Sequence, residues 1–204
     1  SDNPEGIAYD IVDGTFKRIA RRAAEDPEHQ YVLVIDEINR GNIAKILGEL
    51  ITLLEDDKRA GQPNALTVTL PYSSETFSVP KNLLIIGTMN TADRSIALLD
   101  VALRRRFAFI ELMPQPELLS GVNVESEETI VPLDRLLIAI NKGIRKYLDR
   151  DHQIGHSYFL DVAKVAPEEQ ATRLEFVWNH RILPLLEEYF FSQREYLAQL
   201  LAPL

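Results

Sequence analysis

Two short polar stretches of this sequence have the residue types needed for nucleotide hydrolysis. The acidic pair Asp36-Glu37 is the first, and the stretch 89–95 (MNTADRS), which contains Asn90, is the second. Adjacent carboxylates suit Mg²⁺-dependent phosphoryl transfer, because the first can hold the metal, usually through water, while the second orients the attacking water. A neighbouring amide can position that water against the terminal phosphate. The sequence therefore predicts a nucleotide site with Asp36 and Glu37 on the Mg²⁺ side.

Both polar stretches follow apolar runs that have the character of buried parallel strands. The acidic pair ends the run Tyr31 to Ile35 (YVLVI), and the second stretch comes shortly after Leu83 to Ile86 (LLII). In open α/β sheets, ligands bind at the carboxyl ends of the strands, since the loops there carry polar side chains. Alternatives remain open: the carboxylates could cap an ordinary turn, and Asn90 could form an Asx-turn.

The remaining periodicity alternates as a parallel sheet with covering helices requires. The predicted α/β elements are a helix over 10–26, a strand over 31–36, an amphipathic helix capped by Asn42 and continuing to Leu54, a hairpin of 65–70 and 75–79, a strand over 82–89, a short helix over 100–105 and a strand over Phe107–Leu112. Beyond Pro114 and Pro116, a polar loop over 123–129 and helices over 132–149, 167–180 and 182–201 are predicted. This division predicts an α/β domain over 1–113 and a helical lid over 114–204.

Composition restricts the function classes. The 204 residues are 46% hydrophobic, carry a formal charge of −9 and include no cysteine. Disulfides and thiolate metal sites are excluded, and the four histidines lack metal-ligand spacing such as HExxH. The negative charge argues against a surface dedicated to nucleic acid. No apolar stretch approaches the roughly 20 residues that span a bilayer, so a cytoplasmic protein without a membrane partner is expected.

Six segments, in this order, resemble the McrB family of AAA+ proteins: VLVIDEINRGN, GELITLLEDDKR, GTMNTADRS, LDVALRRRF, IGHSYF and ILPLLEEYF. That family comprises GTP-driven motor subunits of methylation-dependent restriction systems, which assemble as rings and work with a nuclease, McrC. The resemblance covers nearly the whole chain. It implies part of an AAA+ P-loop NTPase core, a parallel sheet with an inserted β-hairpin, followed by an α-helical lid subdomain.

The resemblance also assigns roles to residues. Asp36 and Glu37 match the Walker B position, and Asn90 matches the sensor position on the neighbouring strand. Thr91, Asp93 and Arg94 are expected to brace the sensor loop.

Arginines that follow the short helix of the core have a further expected role. In AAA+ rings, arginines at this place reach into the neighbouring subunit's site and stabilise charge on the transferring phosphate. Arg106 is the first candidate for this arginine finger and Arg105 the second. The other interpretation is a basic patch that complements the helix end. Arg40 is expected either at a subunit interface or in a structural salt bridge, and His156 is given no catalytic role.

Two departures from the family pattern affect what is expected of this chain. No G-x-x-x-x-G-K-[ST] motif occurs in it, so the loop that would cradle the phosphates is missing. We therefore interpret the chain as a fragment that alone binds nucleotide negligibly and is inactive. Its sheet is expected to close by pairing Phe107–Leu112 with Leu83–Met89, or through a second copy of the chain. The segment IGHSYF also lacks the arginine that related lids often carry.

Three functions remain as hypotheses. The first is the downstream part of a McrB-like GTP hydrolase, or possible ATP hydrolase, that uses Mg²⁺ and drives DNA translocation or cleavage by a McrC-like nuclease subunit. It would act as a ring homo-oligomer and reach DNA through other domains. The second is a MoxR-like ATPase that remodels proteins. The third is a non-catalytic interaction module that uses the helical part.

Overall fold

The two apolar runs form neighbouring strands of one parallel sheet. In the computed structural model, which describes residues 10–92, 101–125, 129–202 and 204, strand β1 is Tyr31–Ile35 and strand β4 is Leu83–Gly87. Their register pairs Tyr31 with Leu83 and Ile35 with Gly87. Both strands therefore end at the same edge of the sheet, as the sequence predicts. The chain divides into two units between Phe109 and Ile110, slightly before the predicted boundary at 113 and 114.

The first unit places short elements around this strand pair. They are α1 (Thr15–Glu25), β1, α2 (Ile43–Leu47), the antiparallel hairpin of β2 (Val68–Thr69) and β3 (Thr76–Phe77), β4, and α3 (Val101–Arg104). The predicted hairpin is confirmed, although its strands are shorter than expected. The first helix also begins later than predicted. Asp93, Arg94 and Asp100, which belong to predicted features, lie outside the described residues.

In the described part of the chain, one face of the two strands is covered and the other is largely exposed. Leu83 belongs to a buried cluster with Ala20 and Ala23 of α1, and Leu33 and Tyr31 pack against it. On the opposite face, Val32, Val34, Leu84 and Ile86 are between 42% and 59% exposed. The alternation along each strand explains this division, because register partners in a parallel pair lie on the same side of the sheet.

The predicted long amphipathic helix is interrupted. Asn42 caps it as expected, since its side-chain oxygen accepts a hydrogen bond from the Lys45 N–H at 3.0 Å. However, α2 ends after five residues at Gly48, whose φ of 51° lies in the region that glycine tolerates best. A 3₁₀ helix continues from Gly48 to Leu54. The prediction of one helix to Leu54 is therefore wrong, because the glycine permits a change of backbone direction that apolar spacing does not reveal.

The predicted strand over Phe107–Leu112 is also wrong. This segment pairs with no strand among the described residues, and Ile110 and Leu112 are 84% and 91% exposed. A strand needs a neighbour to satisfy its backbone groups, and apolar composition alone does not supply one. Closure of the sheet by this segment against β4 is accordingly contradicted, whereas closure by a second copy stays a prediction.

The second unit is helical and has a single large core. Its helices are α4 (Leu133–Tyr147), α5 (Ser157–Ala163), α6 (Pro167–Val177), α7 (Leu183–Tyr189) and α8 (Arg194–Leu201). Leu137, Ile140, Phe159 and Leu186 are fully buried in one cluster. Asn141 on α4 fixes the segment before α5, because its side chain donates to the Ile154 carbonyl at 2.9 Å and accepts from the Ile154 N–H at 2.7 Å.

Several predicted boundaries in this unit are wrong. The region 123–129 is not only a loop: β5 (Asn123–Glu125) pairs with β6 (Ile130–Pro132), and Val124 is buried. Helix α5 was not predicted. The chain also stays helical from α6 into α7 through a π-helical segment, Trp178–Ile182. Pro184 lies near the start of α7, shortly after this π-helical segment, and the chain stays helical through it.

Candidate functional site

The acidic pair lies in a tight turn at the end of β1. Asp36 and Glu37 are both exposed, and Glu37 has φ and ψ of 50° and 47°. This left-handed conformation is uncommon for residues other than glycine. The turn continues into a 3₁₀ helix, Ile38–Arg40, whose first residue is buried. The adjacent carboxylates are therefore presented to solvent from a constrained backbone.

The end of β4 contacts this turn through Thr88. The Thr88 hydroxyl accepts a hydrogen bond from the Glu37 N–H at 3.0 Å and donates one to Oδ1 of Asp36. The Thr88 backbone adds two bonds: its N–H donates to the Ile35 carbonyl at 3.0 Å, and its carbonyl accepts from the Ile38 N–H at 2.9 Å. The sequence interpretation missed Thr88. Its contacts depend on the parallel register of β1 and β4, which the residue types alone do not reveal.

Asn90 lies near the acidic turn, but its side chain is used locally. Its Oδ1 accepts a hydrogen bond from the Ala92 N–H at 3.0 Å, which is an Asx-turn. Its backbone carbonyl accepts from Nδ2 of Asn39 at 3.3 Å. The structure thus contains the Asx-turn, which was the alternative interpretation of Asn90. The sensor role of Asn90 stays a prediction.

Asn39 is a second residue that sequence reasoning missed. Its side chain is buried and links the acidic turn to the loop after β4 through the bond to Asn90. Among the described residues, its Oδ1 has no hydrogen-bond partner, although buried polar atoms normally have one. An unsatisfied buried oxygen therefore lies in the residue that links the acidic turn to the loop after β4.

The donor set at this edge of the sheet fits Mg²⁺. Asp36 and Glu37 offer exposed carboxylate oxygens, and Mg²⁺ usually takes one or two carboxylates and leaves other positions to water and phosphate. Within the described ranges, no group of three or more histidine, aspartate or glutamate side chains could hold a metal alone. Asp36 and Glu37 are the residues that would hold the ion together with a nucleotide.

Arg40 contacts the carboxylate of Glu37. The Nε of Arg40 lies 2.7 Å from Oε2 of Glu37, and about half of each side chain is exposed. Of the two interpretations of Arg40, the structure contains the salt bridge. An exposed pair of this kind contributes about 0–1 kcal/mol, so it can open at little cost.

The candidate arginine finger lies in an ion pair within its own chain. The Nη2 of Arg106 is 2.8 Å from Oε1 of Glu55, and its side chain is largely buried. Arg105 is exposed. No hydrogen bond or ion pair between described residues joins either arginine to Asp36 or Glu37. The structure therefore brings Asp36, Glu37 and Asn90 to one edge of the sheet, and the arginine finger stays a prediction.

A buried arginine, Arg59, holds the start of strand β4 in place. Arg59 donates from Nη1 to the Leu83 carbonyl and from Nη2 to the Leu54 carbonyl, both at 3.1 Å. Burial lowers the pKa of its guanidinium, while Asp56 opposes this shift. These bonds tie the end of the 3₁₀ helix to the start of β4, so this basic residue is structural. In the second unit, His156 has an equally structural contact: its Nδ1 accepts from the Gln115 N–H at 3.1 Å.

Comparisons with known proteins agree with this division of the chain. Residues 4–107 match the AAA domain of the dynein-related subfamily, and residues 132–198 match the alpha-helical lid domain of McrB. The first unit is thus an AAA domain core with an inserted hairpin, and the second is a helical lid. The chain belongs to the McrB family of AAA proteins, and the predicted fold class is confirmed.

Two relatives come from restriction systems. The chain is 40% identical over 200 residues to the Type IV methyl-directed restriction enzyme EcoKMcrB subunit of Escherichia coli (strain K12), a match that covers 93% of this chain and 43% of the relative. It is 31% identical over 112 residues to the Type II restriction enzyme BsuMI component YdiS of Bacillus subtilis (strain 168), covering 50% of this chain and 33% of the relative. The chain spans less than half the length of both. In the part of the chain that the structure describes, no helix is both long and apolar enough to cross a membrane.

Proposed function

We propose that the full-length protein that contains this chain is a GTP-hydrolysing motor subunit of a DNA restriction system. The acidic turn is the observation that carries this proposal: two adjacent carboxylates end a parallel strand and are tied to the neighbouring strand by Thr88. The relation to a restriction enzyme subunit supports the biological setting. The match of the second unit to the lid of McrB favours this function over a MoxR-like ATPase.

In this proposal each site residue has a distinct task. Asp36 holds Mg²⁺, and Glu37 orients the attacking water and accepts its proton. The metal, when bound, offsets negative charge on the phosphate oxygens. Asn90 positions the water from the adjacent loop. Arg40 pairs with Oε2 of Glu37 at 2.7 Å in this structure, so the base would carry an arginine on one of its two carboxylate oxygens.

The proposed assembly is a ring of identical subunits with a McrC-like nuclease partner. Arg106, or Arg105 as second candidate, would reach the nucleotide of the next subunit and stabilise charge on the transferring phosphate. Arg106 would have to leave its contact with Glu55 to do so. DNA would be bound through other domains, which agrees with the net charge of −9 on this chain.

Nucleotide hydrolysis by the full-length protein tests the proposal. We expect Mg²⁺-dependent hydrolysis of GTP that increases when the partner nuclease subunit is added, and little hydrolysis of ATP. Phosphate release is measured with each nucleotide, with and without the partner, and with Mg²⁺ removed by a chelator. Hydrolysis of ATP in preference to GTP would contradict the assigned nucleotide, and hydrolysis of neither would contradict the function.

A further inference from the structure

The backbone of Glu37 is held in a conformation that the residue does not prefer. Among the described residues other than glycine, Glu37 and Ser74 have positive φ. Ser74 lies in the turn of the β2–β3 hairpin, where such angles are common. Glu37 instead lies in the turn after β1, and its backbone conformation sets the direction of its own carboxylate. A conformation of this kind persists only where the surrounding groups hold it, and it often marks a functional site.

The groups that hold it come from Thr88. Its backbone bonds to Ile35 and Ile38 extend the pairing of β1 with β4 past the strand ends. Its hydroxyl acts on the two residues between them, because it accepts from the Glu37 N–H and donates to Oδ1 of Asp36. One threonine thus contacts four consecutive residues of the acidic turn. The backbone bonds are possible for almost any residue at this position, whereas the two side-chain bonds need a hydroxyl group.

We infer that Thr88 is a positioning residue for the hydrolysis described under Proposed function, on which this inference rests. Its hydroxyl oxygen is donor and acceptor at once, so a single atom fixes the carboxylate of Asp36 and the backbone of Glu37 relative to each other. Thr88 itself does not contact the reacting groups. It orients the residue that would hold Mg²⁺ and the residue that would orient the water.

The hydroxyl can be removed without changing the shape of the side chain. Thr88→Val keeps the β-branch that suits a strand end, and it deletes both side-chain hydrogen bonds. Thr88→Ser keeps the hydroxyl and loses a methyl group. Thr69→Val is a matched control, because Thr69 is an exposed strand residue of the hairpin in the same unit. These three variants separate the effect of the hydroxyl from that of a substitution in a strand.

The first readout is independent of activity and uses this chain without nucleotide. Amide hydrogen exchange, measured by NMR, reports whether the Glu37 N–H has an acceptor. In Thr88→Val we expect this amide to exchange about tenfold faster, since one hydrogen bond is lost. We expect Thr88→Ser and Thr69→Val to leave its exchange near the wild-type rate. An unchanged Glu37 amide in Thr88→Val would overturn the inference.

The second readout is steady-state kinetics of the full-length protein. Loss of a group that orients a metal ligand typically lowers activity by about 10- to 100-fold, so we expect a kcat decrease of this size in Thr88→Val. Thr88→Ser should retain most of the kcat. A Ser variant as impaired as the Val variant, or a Val variant with normal kcat, would overturn the inference.

Failure of this inference can be told from failure of the proposed function. If the wild-type full-length protein hydrolyses neither GTP nor ATP, the proposed function is wrong, and a positioning role in hydrolysis is wrong with it. If the wild type hydrolyses nucleotide and the Thr88→Val variant does so equally well, the function stands and only the role of Thr88 is contradicted.

Discussion

The two units of this chain bury their apolar side chains in different ways. In the helical unit, one cluster includes residues from Leu119, at the end of the 3₁₀ helix Pro116–Leu119, to Leu200 on α8. In the AAA unit, the buried residues form two smaller clusters, and one face of the strand pair stays exposed. Parallel sheets in proteins are generally covered on both faces. The candidate catalytic residues belong to the less closed unit, in which Thr88 at the end of β4 and the buried Ile38 hold the acidic turn.

This comparison predicts very different costs for the same substitution. Leu137 on α4 is fully buried, whereas Leu84 on β4 is 46% exposed on the uncovered face. Leu137→Ala should lower the free energy of unfolding of the helical unit by about 2–5 kcal/mol, because it leaves a cavity. Leu84→Ala should cost the AAA unit about 1 kcal/mol or less, since little buried apolar area is lost. Amide hydrogen exchange resolved along the chain measures both units separately.

An equal loss in the free energy of unfolding at the two positions would contradict this difference between the units. A large loss of stability from Leu84→Ala would mean that the exposed face is packed in solution, for example against a second copy of the chain. Repeating the exchange measurement at several protein concentrations distinguishes these cases, because stability that depends on association rises with concentration.

A smaller effect on stability is expected at Arg106, together with a large effect on function. Arg106→Ala removes the ion pair with Glu55 and the packing of a largely buried side chain, and it should cost the AAA unit about 0.5–3 kcal/mol. If the arginine acts across subunits, the same change should lower turnover of the full-length protein by about 10³-fold or more. Mixing the Arg106→Ala and Glu37→Gln proteins should then restore part of the activity, because some interfaces contain both intact residues.

Arg104→Ala is the matched control, since Arg104 lies over the Phe109 ring, with its guanidinium carbon 5.7 Å from the ring centroid, and is not a candidate finger. Absence of recovery in every mixture, despite demonstrated co-assembly, would contradict a role in trans. Arg106 would then be a structural residue of the AAA unit.

The sequence predicts elements well where local pattern and tertiary structure agree. The apolar run Tyr31–Ile35 becomes β1, and the cap at Asn42 forms as expected. Prediction from the sequence fails where a distant contact or a single backbone angle determines where an element forms or ends. The conformation of Gly48 ends α2, and the exposed segment Phe107–Leu112 has no strand neighbour.

The candidate site was predictable to the same extent. Carboxylates after an apolar run indicate Asp36 and Glu37 directly, because their chemistry is visible in the residue types. The importance of Thr88 was not visible, since it depends on the parallel register that brings residue 88 beside residues 36 and 37. The orphan oxygen of Asn39 likewise becomes apparent only when its burial is known. Spacing in a sequence does not contain either fact.

The most direct test of the account is the substitution Glu37→Gln in the full-length protein. Removing a general base typically lowers the rate by about 10²–10⁴-fold, so turnover of nucleotide should fall by that amount. Nucleotide affinity and ring assembly should remain, because Asp36 is intact. Glu49→Gln is the matched control, since Glu49 is an exposed glutamate of the same unit outside the site. The account predicts loss of turnover with retained binding in Glu37→Gln alone, and turnover near the wild-type rate in that variant would contradict it.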